Sequence, residues 1–86
     1  KRSNWYTKKL FNLYWCLEAL HALNPPYDKR IENVLSKTSK FKDYTIREKT
    51  AMVLSALVYS SEVLNNIKSA LKTDGNFYVR RYSRDF

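Results

Sequence analysis

Hydrophobic positions recur along most of this chain at steps of three and four residues, the period of an α-helix rather than the alternation of a half-buried strand. The longest such stretch, NWYTKKLFNLYWCLEALHAL from Asn4 to Leu23, carries no Pro or Gly, and Ser3 or Asn4 stands before it as an N-cap. Set at about 100° per residue, Trp5, Tyr6, Leu10, Leu13, Tyr14, Cys16, Leu17, Leu20 and Leu23 spread over half the circumference and define the expected core face. The opposite half is not polar enough for open solvent. Phe11 and Trp15 sit there one turn apart, among Lys8, Asn12, Glu18, Ala19 and Ala22. Two large rings in that position call for cover, and the expected cover is the chain's own C-terminal tail, with a partner as the alternative.

Lys1 and Arg2 are expected to fray. Asn24-Pro25-Pro26 ends the first helix, because Pro25 disfavours the α conformation at Asn24 and neither proline donates to a continuing ladder. From Asp28 onward, Ile31, Val34, Leu35, Thr38 and Phe41 form a stripe opposite Lys29, Arg30, Asn33, Lys37 and Lys40, which predicts a second helix over about 28–39. Its early Asp28 and later lysines suit the helix dipole, at ~0.3–1 kcal/mol per exposed charge. Thr45-Ile46-Arg47-Glu48 has the form of a capping box and predicts a third helix from Ile46. The stripe Ile46, Met52, Val53, Ala56, Leu57, Val63, Leu64, Ile67, Ala70 and Leu71 stays in phase past Ser60-Ser61, which extends that helix over 46–72. Leu54 and Val58 fall off the stripe beside Ala51, so its middle is expected to be contacted from two sides. Gly75, the single glycine, is placed as the left-handed residue that stops it. The tail, residues 76–86, alternates aromatics with arginines. The expected fold is thus all-α: a small three-helix bundle with helices at about 4–23, 28–39 and 46–72, and an aromatic and basic tail packed on the first helix.

With 86 residues the chain is read as one domain, able to bury roughly two-thirds of its unfolded surface without disulfides or metals, and as one excised from a longer protein. The formal net charge of +8 divides as +3 over residues 1–27, +3 over 28–49, zero over 50–75 and +2 over 76–86. Such a surplus favours acidic partners: an acidic peptide, nucleic acid or anionic lipid. Cys16 is the one cysteine, expected as a small buried hydrophobe; it makes no internal disulfide and favours a reducing, intracellular compartment. Lys8, Lys9, Glu18 and His21 interrupt the longest apolar stretch, so no membrane span is expected, and no targeting segment is visible.

The inventory argues against catalysis. His21, the only histidine, lies five residues from Cys16 and about 140° further round the helix, so no nucleophile and base face each other. No second cysteine or histidine completes a zinc site, and one glycine makes no phosphate loop. No cofactor is expected. Two basic constellations stand out. One is a collar where the second helix passes into the third, Lys37, Lys40, Lys42, Arg47 and Lys49, to which a helix N-terminus at Thr45 adds its unpaired N–H groups. The other is the tail, where Arg80, Arg81 and Arg84 are interleaved with Tyr78, Tyr82 and Phe86 in a pattern that suits stacking on single-stranded nucleic acid. The leading expectation is a non-catalytic protein-interaction module that grips an acidic linear motif or partner helix, with Phe11 and Trp15 as apolar anchors and Lys37, Lys40, Lys42 and Arg47 as steering charges. The alternatives are a nucleic-acid-binding domain using collar and tail, and the helical appendage of a larger enzyme. A second copy docked on Phe11 and Trp15 is a further candidate occupant.

Two stretches resemble known families. FKDYTIREKTAM at 41–52 with CLEAL at 16–20 is similar to pieces of the integrase-binding-domain and TFIIS-N-terminal-domain class, a resemblance that implies binding of disordered acidic motifs of transcription regulators. HALNPPYDKRIENVL at 21–35 resembles the helical half that follows some nucleotidyltransferase domains. Each covers under a quarter of the chain, and the two point to different families.

Overall fold

The computed structural model describes residues 4–57, 60–84 and 86, with side chains from Lys8 onward; Lys1, Arg2, Ser3, Val58, Tyr59 and Asp85, and the side chains of residues 4–7, Trp5 and Tyr6 among them, lie outside the described residues. Among the described residues the chain forms no strand and five helices: α1 (Asn4–Leu23), α2 (Lys29–Thr38), α3 (Tyr44–Ala56), α4 (Glu62–Lys72) and α5 (Phe77–Ser83). The all-α expectation stands. The count of three does not, and each departure has a local cause.

The expected long third helix is two helices. Leu57 turns extended, at φ −68° and ψ 137°, and Ser61 is extended at φ −156° and ψ 169°. The Ser61 hydroxyl accepts from the Leu64 amide at 3.2 Å and donates to the carboxylate of Glu32, a buried residue in the first turn of α2. Serine mid-helix offers the backbone a competing local bond, and here that bond starts a new helix instead of prolonging the old one. The hydrophobic stripe stays in phase because Leu64, Ile67 and Leu71 of α4 face the same core as Ile46 and Val53 of α3. Ser61→Ala removes an N-cap and leaves a buried carboxylate without its hydroxyl donor, so we expect a loss of about 1–2 kcal/mol in urea unfolding. Ser60→Ala, at an exposed neighbour, serves as the control and should leave the midpoint in place.

The start of α3 differs too. Asp43, two residues ahead of the expected cap, accepts from the Thr45 amide at 3.0 Å and the Thr45 hydroxyl at 2.7 Å. A carboxylate is the stronger acceptor, so Thr45 donates to it and the capping box does not form. No described glycine has positive φ, Gly75 included; the residue that does is Asn24, at φ 42°. Its amide bonds the Leu20 carbonyl at 2.9 Å and its side chain donates to the Ala56 carbonyl at 3.0 Å. Asparagine tolerates this conformation, and here it both ends α1 and ties it to the end of α3.

The tail is a helix that docks away from the first. Asn76 caps α5 by accepting from the Tyr78 amide at 2.8 Å, and Val79 and Ser83, one turn apart, are buried. Val79 joins the core, with Tyr82 and Phe86 packed at its edge, and α5 lies against α3 and α4. It therefore does not cover Phe11 and Trp15. The organising element is α3, which packs against all four other helices and buries residues around much of its girth, Ile46, Thr50 and Val53 on one side and Ala51 and Leu54 on another. The Thr38 and Thr50 hydroxyls meet at 2.8 Å between α2 and α3.

Helix α1 uses only part of its expected core face. Leu17 is fully buried, Leu10, Leu13 and Leu20 are half-buried, and Tyr14, Cys16 and Leu23 are exposed. Its principal neighbour is α3 alone, and one neighbour covers a narrow seam rather than half a circumference. The expectation of a buried Cys16 fails for that reason.

Candidate functional site

The seam that buries Leu17 turns Phe11 and Trp15 outward. They are 61% and 54% exposed, and their rings meet edge to face at 5.8 Å and 78°. Tyr14 adds a second edge-to-face contact to Trp15 at 6.1 Å and 89°, so three aromatics form one ridge on the outside of α1. Rings held this way have little rotamer freedom left to lose on binding. Beside the ridge, Leu10, Phe11 and Tyr14 of α1 and Thr45 and Ile46 of α3 frame an apolar recess of about 190 Å³. Lys8 lies on the face of Phe11 and Trp15, three and seven residues before them, and is exposed.

Of the five collar residues, two are spoken for. Lys49 is buried, forms an ion pair with Glu18 and lies 5.3 Å from the centre of the Tyr14 ring, which makes it a tie between α1 and α3. The Lys49 hydrogen bond and charge hold the Glu18 carboxyl below its ordinary range, against a small opposing effect of burial. Arg47 forks between Asp74, at 2.8 and 3.2 Å, and the carbonyls of Phe41 and Lys42, at 2.8 and 3.0 Å. Burial pushes the Asp74 carboxyl up, but the Arg47 hydrogen bonds, the Asn76 amide and the charges of Arg47 and Arg80 more than reverse it and hold it low. The N-terminus of α3 is likewise engaged, by Asp43. Lys37, Lys40 and Lys42 remain exposed, and Lys40 lines a groove of about 260 Å³ between α2 and α4 with Ser36, Ser39 and Asn66. At the start of α2, the Arg30 guanidinium and amide hold the Asp28 carboxyl at about 2, so that cap is charged across the working pH range.

The tail residues come together more closely than the collar. Arg80, Arg81 and Arg84 line a cleft of about 400 Å³ with Lys72 of α4 and Phe77. Arg81 lies over the Tyr82 ring at 4.9 Å and the Tyr78 ring at 5.5 Å, donates to the Tyr82 hydroxyl at 3.1 Å and stands 3.9 Å from Glu48. Tyr78 in turn stacks on Tyr44 of α3 at 6.0 Å and 27°. Sequence reasoning did not select Tyr14, Lys8, Lys72 or Phe77. Tyr14 was assigned to the core, and the joint role of Lys72 and Phe77 depends on α4 and α5 meeting, although the cap-like Asn76 ahead of Phe77 was a usable sign that the tail is helical.

Among the described residues, no group of three or more His, Cys, Asp or Glu is arranged to hold a metal, and no helix is long and apolar enough to cross a membrane. No family model matches the chain, and neither a curated protein nor a solved structure matches it.

Proposed function

We propose that this chain is a non-catalytic interaction module that binds an acidic segment of a partner protein across the outer face of α1. The observation that carries the reading is the Phe11–Trp15 pair, exposed yet already packed ring on ring. Aromatic anchors of this kind dominate interface energetics, and a patch this apolar is what a partner's nonpolar side chains would cover. The net charge of +8, with Lys8 beside the rings and Lys42 just ahead of the recess-lining Thr45, favours carboxylates around those side chains. Arg47 drops out of the steering set because the fold uses it, as it uses Lys49 of the collar; Lys37, Lys40 and Lys42 stay in the set.

A displayed library of random peptides of about 15 residues tests this, a length that spans roughly four helical turns. Selected binders should be rich in Asp and Glu with apolar residues between them. Trp15→Ala should weaken those binders roughly 30-fold, near 2 kcal/mol, mainly through faster dissociation. A joint Lys40→Glu and Lys42→Glu change should instead slow association and flatten its salt dependence. Binders without acidic bias, or ones indifferent to Trp15→Ala, would refute the reading; self-association abolished by Trp15→Ala would give the ridge to a second copy of the chain.

A further inference from the structure

The cleft between α4 and α5 is separate from the α1 ridge and has a different character. Four of its five lining residues are cations, Lys72, Arg80, Arg81 and Arg84, and none is a carboxylate. Among the described residues, the acids that approach this end are engaged: Asp74 pairs with Arg47 and its main-chain carbonyl accepts from Arg80 at 2.6 Å, and Glu48 stands 3.9 Å from Arg81. Phe77 and Arg80 of α5 and Arg84 at its C-cap follow at three and four residues and share a face; on α4, Lys68 and Lys72 do the same one turn apart. Cations from both helices thus share the cleft with one exposed ring, since Phe77 keeps 60% of its surface in solvent. The C-terminal Phe86 lies along the α4 row, its ring 5.7 Å from the Lys68 ammonium and its carbonyl oxygen accepting from Lys72 at 3.4 Å.

We propose that this cleft binds single-stranded nucleic acid, with phosphates at Lys72, Arg80 and Arg84 and an unstacked base on the face of Phe77. The inference goes beyond the α1 reading and does not depend on it. Cations alone would serve any polyanion, so the ring decides the class. A duplex keeps its bases stacked inside and has no use for Phe77, whereas a single strand presents bases that stack on aromatic and guanidinium planes. Arg81, over the Tyr78 and Tyr82 rings, already brings guanidinium and aromatic groups together beside the cleft. An anionic membrane is disfavoured because Val79, the aliphatic residue of α5, is buried in the core, and the ring that meets Phe77 edge to face at 5.5 Å is Tyr78, whose hydroxyl suits it poorly to insertion.

The probe is a fluorescently labelled oligouridylate of about 12 nucleotides, within the usual span of sequence-tolerant sites, followed by anisotropy in rising salt. Three phosphate contacts predict a log–log slope of about −2. Arg80→Gln with Arg84→Gln should weaken binding and reduce the slope by about 1.4, while Phe77→Ala should cost roughly tenfold and leave the slope unchanged. All three positions are exposed, so these variants should keep the wild-type circular dichroism. Trp15→Ala should alter neither quantity, which keeps a failure here distinct from a failure of the α1 reading. The proposal is overturned if Phe77→Ala binds as wild type, if a duplex of equal length binds as tightly, or if polyglutamate or phosphatidylserine vesicles bind more tightly than the oligonucleotide.

Discussion

Arg47→Ala should lower the unfolding free energy by about 3 kcal/mol or more, a large share of the ~5–15 kcal/mol that holds a domain of this size together. The side chains of Arg47 and Asp74 are only 19% and 12% exposed, so removing Arg47 leaves the Asp74 carboxylate poorly hydrated and without its ion-pair partner. It also strips the Phe41 and Lys42 carbonyls of their donor. One guanidinium closes three segments on each other: the start of α3, the loop ahead of it and the turn between α4 and α5 that Asp74 occupies. Arg47→Lys should recover little, because an ammonium cannot fork to four acceptors. Acid offers an independent check. The folded Asp74 carboxyl is held below its ordinary value, so the stability it contributes is complete above the unfolded value of about 3.9 and is lost as pH falls from there through the folded value. In Arg47→Ala the lowering influence of Arg47 is gone and burial pushes the other way. The gap in urea midpoint between the two proteins should therefore be widest near neutral pH and shrink towards about pH 3. A gap that stays constant with pH would mean that the ion pair is not what Arg47 contributes.

The elements that periodicity located well were those whose stop signals are local. Asn24-Pro25-Pro26 ends α1 and Asp28 begins α2 as expected, because a proline's missing donor and a carboxylate's cap act within two or three residues. The break at Leu57 was illegible for the opposite reason: both halves face one core, and phase carries no trace of a corner that preserves it. Ser61 did carry a trace, since a serine inside an apolar stripe needs an explanation, and the cap to Leu64 with the bond to Glu32 supplies it. In the tail, the alternation of aromatics with arginines overlies a second pattern, Val79, Tyr82 and Phe86 at helical steps behind an asparagine cap. The site was legible only as an inventory. That Phe11 and Trp15 stand off the seam follows from their positions on the helix; which element would cover them does not, because nothing local says on which side of α3 the tail docks. Arg47 and Lys42 look alike as basic residues near a helix start. The difference is made by Asp74, far along the chain, and only the closed fold brings it within reach.

Leu17→Ala is the change expected to separate α1 from the rest. Leu17 is the one fully buried side chain described on a helix of 20 residues. Leu10, Leu13 and Leu20 continue its seam but stay half-buried, and among the described residues the polar ties between α1 and α3 are the Lys49–Glu18 pair, with Lys49 also over the Tyr14 ring, and the Asn24 bond to the Ala56 carbonyl at its end. A buried Leu→Ala change costs about 2–5 kcal/mol, with the lower half favoured where a helix can settle onto its single neighbour. The loss should be local. An isolated helix of this length is marginal in water, so α1 should unravel as it leaves α3. Hydrogen exchange should then show α1 amides losing protection while those of α3 and α4, anchored by Leu54, Leu64 and Leu71, keep theirs. Function should divide along the same line. Phe11, Tyr14 and Trp15 hold their ridge only while α1 is helical, so the variant should bind acidic peptides weakly even though none of those residues is altered. Oligonucleotide binding at the α4–α5 cleft should persist, because α5 is seated through Val79 on α3 and α4. Amides of α1 and α4 losing protection together would instead make α1 part of one cooperative unit, and the two surfaces would then stand or fall as one.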